Sequence, residues 1–259
     1  MRLLRPFTLA ARPAIARRKR PILWHSIVIR RTMDTEAIFI LIDVEPALHQ
    51  AALDLQYQLT DDGFAKYYPA DTPHLDRVFR NLEQYAETML LQKAGFRPVP
   101  WEKALLAFLQ VVEGENLMWW LRGSAALAVR GLDIAPGDID VTTDDAGAHR
   151  LGALLLDYLV EPIIPVHNWF CNWWGRAYWD VRIEWMGGVN ETADRPEVGD
   201  FGPEAERFSE TIIWHGYEIR VPPLNLQLAV SERRGLTERA ALIRQAMTSA
   251  NRPHLLAET

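Results

Sequence analysis

Two aspartates, Asp138 and Asp140, stand two positions apart directly after a Pro136–Gly137 turn, on a short segment that ends at Val141. Residues two apart on an extended backbone share a face. Two carboxylates on one face repel each other unless a cation sits between them. Mg²⁺ takes oxygen ligands, keeps part of its water and often bridges to substrate phosphates. Upstream, the apolar run 117–121 reads as a buried strand and is followed at once by Gly123 and Ser124. A short helical segment, 125–130, comes next and is stopped by Gly131. Ser124 is placed to cap that helix, whose free N–H groups and dipole favour an anion. Residues 119–141 can therefore hold a triphosphate on one side and its metal on the other. The plainer reading is that Asp138 and Asp140 solvate a turn, since aspartate is common after Pro-Gly.

Gly123-Ser124, a short helix and Asp138-x-Asp140, in strand–turn–helix–strand order, resemble the signature of the nucleotidyltransferase superfamily with the DNA polymerase beta-like fold. The spacing is similar to that of the small stand-alone branch, which includes antibiotic-modifying and toxin-like members. The resemblance spans residues 101–243. It implies an α+β fold, a mixed β-sheet flanked by helices. It further implies Mg²⁺ (or Mn²⁺) on Asp138 and Asp140, and a nucleoside triphosphate whose β- and γ-phosphates lie on Gly123 and Ser124. Arg130, at the end of the short helix, and Arg233 are further candidates for binding the nucleotide.

The family also takes a third acid from a later strand. Residues 177–186 alternate with the period of a strand, so Tyr178, Asp180, Arg182 and Glu184 are expected on one face. Glu184, flanked by Ile183 and Trp185, fits the family pattern best, with Asp180 as the alternative. Arg182 would neutralise one of the two and leave the other for metal or general-base work. The same residues also suit an ordinary polar strand face with a cross-strand ion pair. The chain departs from the family in two places. The lysine usual on the first C-terminal helix falls at Ser231, where Arg233 or Arg234 would have to substitute, and the acid usual on the second falls at Arg239.

The 259 residues, 49% of them hydrophobic, suit one large or two small globular domains. Residues 34–98 read as an accessory α/β segment: a buried strand at 36–43, a helix at 46–59, a strand at 64–68 and a helix at 75–92. A nucleotidyltransferase core is expected over 99–190, with helices at 101–112 and 149–160 and a strand at 162–166. Residues 191–259 should form an acidic loop, a hairpin around His215-Gly216, and two helices, 224–234 and 237–250, packed on the core. Five tryptophans, Trp169, Trp173, Trp174, Trp179 and Trp185, crowd the region after 166; core packing is the default for most, with a base- or acceptor-stacking wall the other reading. His167 and Asn168 lack metal-ligand spacing and read as structural.

Nine Lys and Arg and no acid precede Asp34, which leaves 19 basic against 34 acidic residues beyond it. Residues 1–33 form a basic tail with three readings: a transit peptide, a flexible arm, or sequence upstream of a true start at Met33, the last favoured. A body this acidic is a poor electrostatic partner for long nucleic acid, which disfavours a toxin-like enzyme acting on transfer RNA. The single cysteine, Cys171, rules out an internal disulfide framework and suits a reducing, cytoplasmic setting. No apolar run approaches the ~20 residues of a membrane helix. The expected function is metal-dependent transfer of a nucleoside monophosphate from an NTP to a hydroxyl of a small-molecule acceptor. The alternative is a non-catalytic protein that keeps the fold to bind a nucleotide or a partner, a reading motivated by the missing lysine.

Overall fold

In the computed structural model the described residues are 27–32, 35–167 and 169–250. Residues 1–26, most of the basic tail, and Asn168 lie outside them. An α+β fold results: a mixed five-stranded sheet flanked by helices, with a four-stranded antiparallel sheet preceding it in the chain.

The first sheet is built from β1 (Ile27–Thr32), β2 (Glu36–Ile42), β3 (Gln58–Thr60) and β4 (Gly63–Pro69), in the order β1-β2-β4-β3. Residues 27–32 thus lie inside the fold as a strand paired with β2 along its length, not in a tail. The helix expected over 46–59 is shorter, a 3₁₀ turn Pro46–Leu48 and α1 (His49–Asp54), because the chain already turns into β3. Helices α2 (Leu75–Lys93) and α3 (Trp101–Val112) carry apolar stripes at helical spacing, Val78, Leu82 and Met89 on one, Leu105, Phe108 and Leu109 on the other, and both bury them.

The five-stranded sheet contains β5 (Trp119–Arg122), β6 (Ile139–Thr143), β7 (Leu159–Pro165), β8 (Cys171–Trp179) and β9 (Val181–Val189), in the order β5-β6-β9-β8-β7. Only β6 and β9 run parallel. Between β5 and β6 lies α4 (Gly123–Val129). Between β6 and β7 comes α5 (Asp145–Leu154), which starts earlier and ends sooner than the expected 149–160. Asp144 caps it by accepting the Gly147 N–H at 2.6 Å, and a 3₁₀ turn, Leu156–Tyr158, leads into β7. This helix covers one face of the sheet, where Trp185 donates its indole N–H to the Ala148 carbonyl. The remaining elements are α6 (Pro203–Arg207), the hairpin β10 (Glu210–Trp214) and β11 (Tyr217–Val221), and the helix pair α7 (Leu224–Arg233) and α8 (Thr237–Ala250).

One contiguous apolar cluster runs from Phe39 in β2 through Leu82, Phe108 and Leu121 to Ile183 and Ile219. The accessory segment, the mixed sheet and the C-terminal hairpin therefore share a core. Trp185 is fully buried and Trp174 nearly so, while Trp169 is 40% exposed. Cys171 is buried, which pushes its thiol up to about 11. Among the described residues no helix is long and apolar enough to cross a membrane.

Candidate active site

The apolar strand β5 buries Trp120 and Leu121 and delivers the chain to Gly123. Gly123 has φ +68°, and a Cβ added there would lie 2.7 Å from Asp140 Oδ2. Both the left-handed backbone and the close approach require glycine. Helix α4 starts at Gly123 itself, so Ser124 lies inside its first turn and makes no cap; the residue before the helix is Arg122. The capping role expected of Ser124 is therefore corrected. Ser124 stays half-buried beside the bend.

Asp138 precedes β6 and Asp140 lies within it, opposite Glu184 in the parallel pairing of β6 with β9. The carboxylates of Asp138, Asp140 and Glu184 offer oxygens within 4.8 Å of one another. The sequence thus contains three acids that meet at one point. Asp180 does not join them. The alternating stretch 177–186 is not one strand but two, β8 and β9, folded back at Asp180, whose φ of +61° makes the turn. Its carboxylate pairs with Lys103 at 2.6 Å. Tyr178 faces Arg182 across the hairpin instead of following it along a strand.

Cross-strand register then builds a charged row across the whole sheet. Arg122 on β5 pairs with Asp140 on β6, Asp140 with Glu184 on β9, Glu184 with Arg176 on β8, and Arg176 with Glu161 on β7. Lys66, from β4 of the other sheet, closes the row on Glu161. Arg182, two residues before Glu184 on the same strand face, donates to Asp138 Oδ2 at 2.6 Å and to Glu184 Oε1 at 2.8 Å. Arg176 donates to the same Glu184 Oε1 at 2.7 Å and also to Glu161. Arg122 lies 3.4 Å from Asp140 Oδ1. Each acid of the cluster therefore has one oxygen held by an arginine. Among the described residues, Asp138 Oδ1, Asp140 Oδ2 and Glu184 Oε2 make no hydrogen bond. The three carboxylates can offer one oxygen each to a divalent cation, and such a set suits a hard cation such as Mg²⁺.

Burial raises the Asp140 carboxyl to about 7; Arg122 opposes the rise, and the neighbouring Asp138, Glu184 and Asp200 add to it. Burial also pushes Glu184 up, but Arg176 and Arg182 outweigh it and hold the group down at about 2. One acid of the cluster is thus locked as a carboxylate, while another is poised to lose its proton near neutrality.

Two cationic candidates are held elsewhere. Arg130 pairs with Glu210 at 2.7 Å and donates to the Pro222 carbonyl. Arg233 pairs with Glu197 at 3.0 Å and donates to the Val198 carbonyl. Ser231 is buried, with its hydroxyl turned back onto the Gln227 carbonyl at 2.7 Å. Gln227 in turn donates to the Gly123 carbonyl at 3.0 Å, fastening α7 to the bend. Sequence reasoning missed Arg122, Arg176 and the buried Asp200 as neighbours of the acids. For Arg122 a signal existed, because it directly precedes the glycine bend.

No protein-family model matches the chain, and no curated protein matches it either. Three solved structures are similar to it. A protein described as a candidate nucleotidyltransferase from Thermotoga maritima is 18% identical, with 57% of this chain and 93% of that one covered, at a TM-score of 0.43. The lincosamide antibiotic adenylyltransferase LnuA, solved with lincomycin bound, is 16% identical over 55% of this chain and 96% of its own, at 0.41. ANT(2")-Ia, solved with adenylyl-2"-tobramycin, is 14% identical over 56% and 88%, at 0.39. The likeness is one of fold alone; it assigns no activity, substrate or residue to this chain.

Proposed function

We propose that the protein is a metal-dependent nucleotidyltransferase that moves a nucleoside monophosphate from an NTP to a hydroxyl of a small-molecule acceptor. The observation that carries this reading is the convergence of Asp138, Asp140 and Glu184 beside the Gly123 bend. Asp138 and Asp140 would hold Mg²⁺, or Mn²⁺, and Glu184 would complete the set through its free oxygen. The bound cation would offset charge on the phosphates, as divalent ions do in displacements at phosphorus. Gly123 lets the triphosphate approach the backbone, with Ser124 beside it.

The acceptor hydroxyl attacks the α-phosphorus in line; the new O–P bond forms as the bond to pyrophosphate breaks, and the hydroxyl proton leaves to a base. Glu184, tied to two arginines, is a poor proton acceptor. Asp140, committed to the cation, is not free to take it either, so the proton passes to solvent. Most of the rate would come from alignment and charge neutralisation.

One observation favours a second reading, a non-catalytic nucleotide- or partner-binding protein. Arg182 already bridges Asp138 and Glu184, as a cation built into the chain. Incubation with Mg²⁺, each labelled triphosphate, and pools of small molecules, RNA and proteins separates the two. The enzyme releases pyrophosphate and shifts the mass of an acceptor by one nucleoside monophosphate; the binding protein does neither with any pool.

A further inference from the structure

We propose that Lys66 is an amine nucleophile that holds a flat aromatic aldehyde as an imine, in a cavity at the joint of the two sheets. The site lies at the far end of the charged row, between β4 and β7, three strands from Asp140. It is separate from the triphosphate reading, which stands whether or not this one fails. A cavity of about 340 Å³ opens there, with Lys66 and Glu161 both in its wall. That volume falls within the ~300–1,000 Å³ of small-molecule sites. Lys66 is buried and paired with Glu161, yet its amine is reached from the cavity.

The surroundings of Lys66 set its two protonation states against each other. Glu161 holds it from β7, and the Tyr57 ring lies 4.5 Å from Nζ; both favour the ammonium. Burial opposes them, and with Arg176 it holds the amine well below the ordinary lysine range despite Glu184. Arg176 donates to the same Glu161 oxygen. Lys66 can therefore give up a proton without leaving that buried carboxylate unpaired.

The step balances within this pair. Glu161 takes the ammonium proton, and the Nζ lone pair forms a C–N bond to the carbonyl carbon as the C=O π pair moves to oxygen. The nitrogen gives one proton to that oxygen, Glu161 returns its own, and the C–O bond breaks to release water. The product is a protonated imine on a carboxylate, with the same charge as the original pair. That equality selects the ligand class. An acyl donor would turn the ammonium into a neutral amide and break the alternation of a buried row. An imine keeps it, and hydrolysis reverses it. The walls select the ring: Trp169 and Trp174 have centroids 5.7 Å apart at 54°, and Tyr67 lines the same cavity.

The test incubates the full chain with benzaldehyde or acetaldehyde and cyanoborohydride at neutral pH, folded and in urea. Peptide mass mapping follows each lysine, and circular dichroism verifies folding. In folded protein benzaldehyde should label Lys66 at least about tenfold faster than Lys93 or Lys103, since an amine one unit below its usual range offers about tenfold more free base. In urea the three should react within about twofold of one another, as amines of one ordinary range do. Trp169→Ala, a change at an exposed wall, should slow benzaldehyde at Lys66 about threefold or more and leave acetaldehyde within about twofold. Lys66 labelled no faster than Lys103 in folded protein, or the same preference for Lys66 in urea, overturns the reactive amine. Trp169→Ala that slows neither aldehyde, or both alike, overturns the aromatic ligand.

Discussion

At the scale of single residues, the acid cluster contains its own division of labour. Glu184 gives one oxygen to two arginines and is held charged, whereas Asp140 is half-buried with a single, longer arginine contact and is raised to about 7. A cation needs the ionised carboxylate, so binding should expel the Asp140 proton. Divalent-cation affinity should therefore rise about tenfold per unit as pH climbs toward about 7 and level off above it. Calorimetry in buffers of different ionisation heat should count close to one proton released at about pH 6 and almost none at about pH 8; equal release at both contradicts the assignment. The linkage to stability has the opposite sign. In metal-free protein the folded state binds more protons than the unfolded state between the ordinary 3.8 and about 7. The Asp140 contribution is thus full below 3.8 and lost as pH rises through about 7. The pair Asp138 and Asp140 was legible in the sequence, because two residues on one short segment share a face whatever the rest of the chain does. Gly123 was legible for the same local reason. Arg182 was legible only as a neighbour in sequence; its bridge to Asp138 depends on β6 lying beside β9.

At the scale of elements, the charged row depends on strand register, which no local pattern encodes. Glu161, Arg176 and Glu184 come from three strands, and Lys66 from a different sheet. The hairpin at Asp180 was hidden for a related reason. The alternation of Tyr178, Asp180, Arg182 and Glu184 continues through the reversal, and no glycine or proline marks it. Aspartate, which tolerates the left-handed region, was the only cue. By contrast, α3 and the hairpin of β10 and β11 could be read directly, since apolar spacing and the His215-Gly216 turn are local. Arg176 is the keystone of the row: it is 2% exposed, touches Glu161 and Glu184, and donates to the Leu55 carbonyl from the accessory segment. Arg176→Met should leave two carboxylates buried and short of a partner, and cost about 3–5 kcal/mol in denaturant unfolding. Arg176→Met combined with Glu161→Gln should recover part of that. A loss below about 1 kcal/mol for the single variant would mean that the row carries no structural weight.

At the scale of the whole molecule, the accessory sheet and the mixed sheet share one apolar cluster and one line of charge, so the site is braced from β4 as well as from its own strands. Sequence periodicity gave helices α2 and α3 but missed β1, β3 and the reversal at Asp180, and it could not give the joint of the two sheets, because Lys66 and Glu161 are 95 positions apart. The acidic excess beyond residue 33 favours a small or cationic acceptor over long nucleic acid. Such a surface also repels a bare triphosphate, so the nucleotide must arrive with its cation. That dependence makes the most direct measurement a triphosphate titration of wild type, Asp138→Asn and Asp140→Asn, with Mg²⁺ and with chelator. Wild type should bind with Mg²⁺ and lose at least about tenfold in affinity without it, and both variants should bind weakly in either condition. Equal binding with and without Mg²⁺, or variants that bind as wild type does, would contradict a metal-held triphosphate at Asp138 and Asp140.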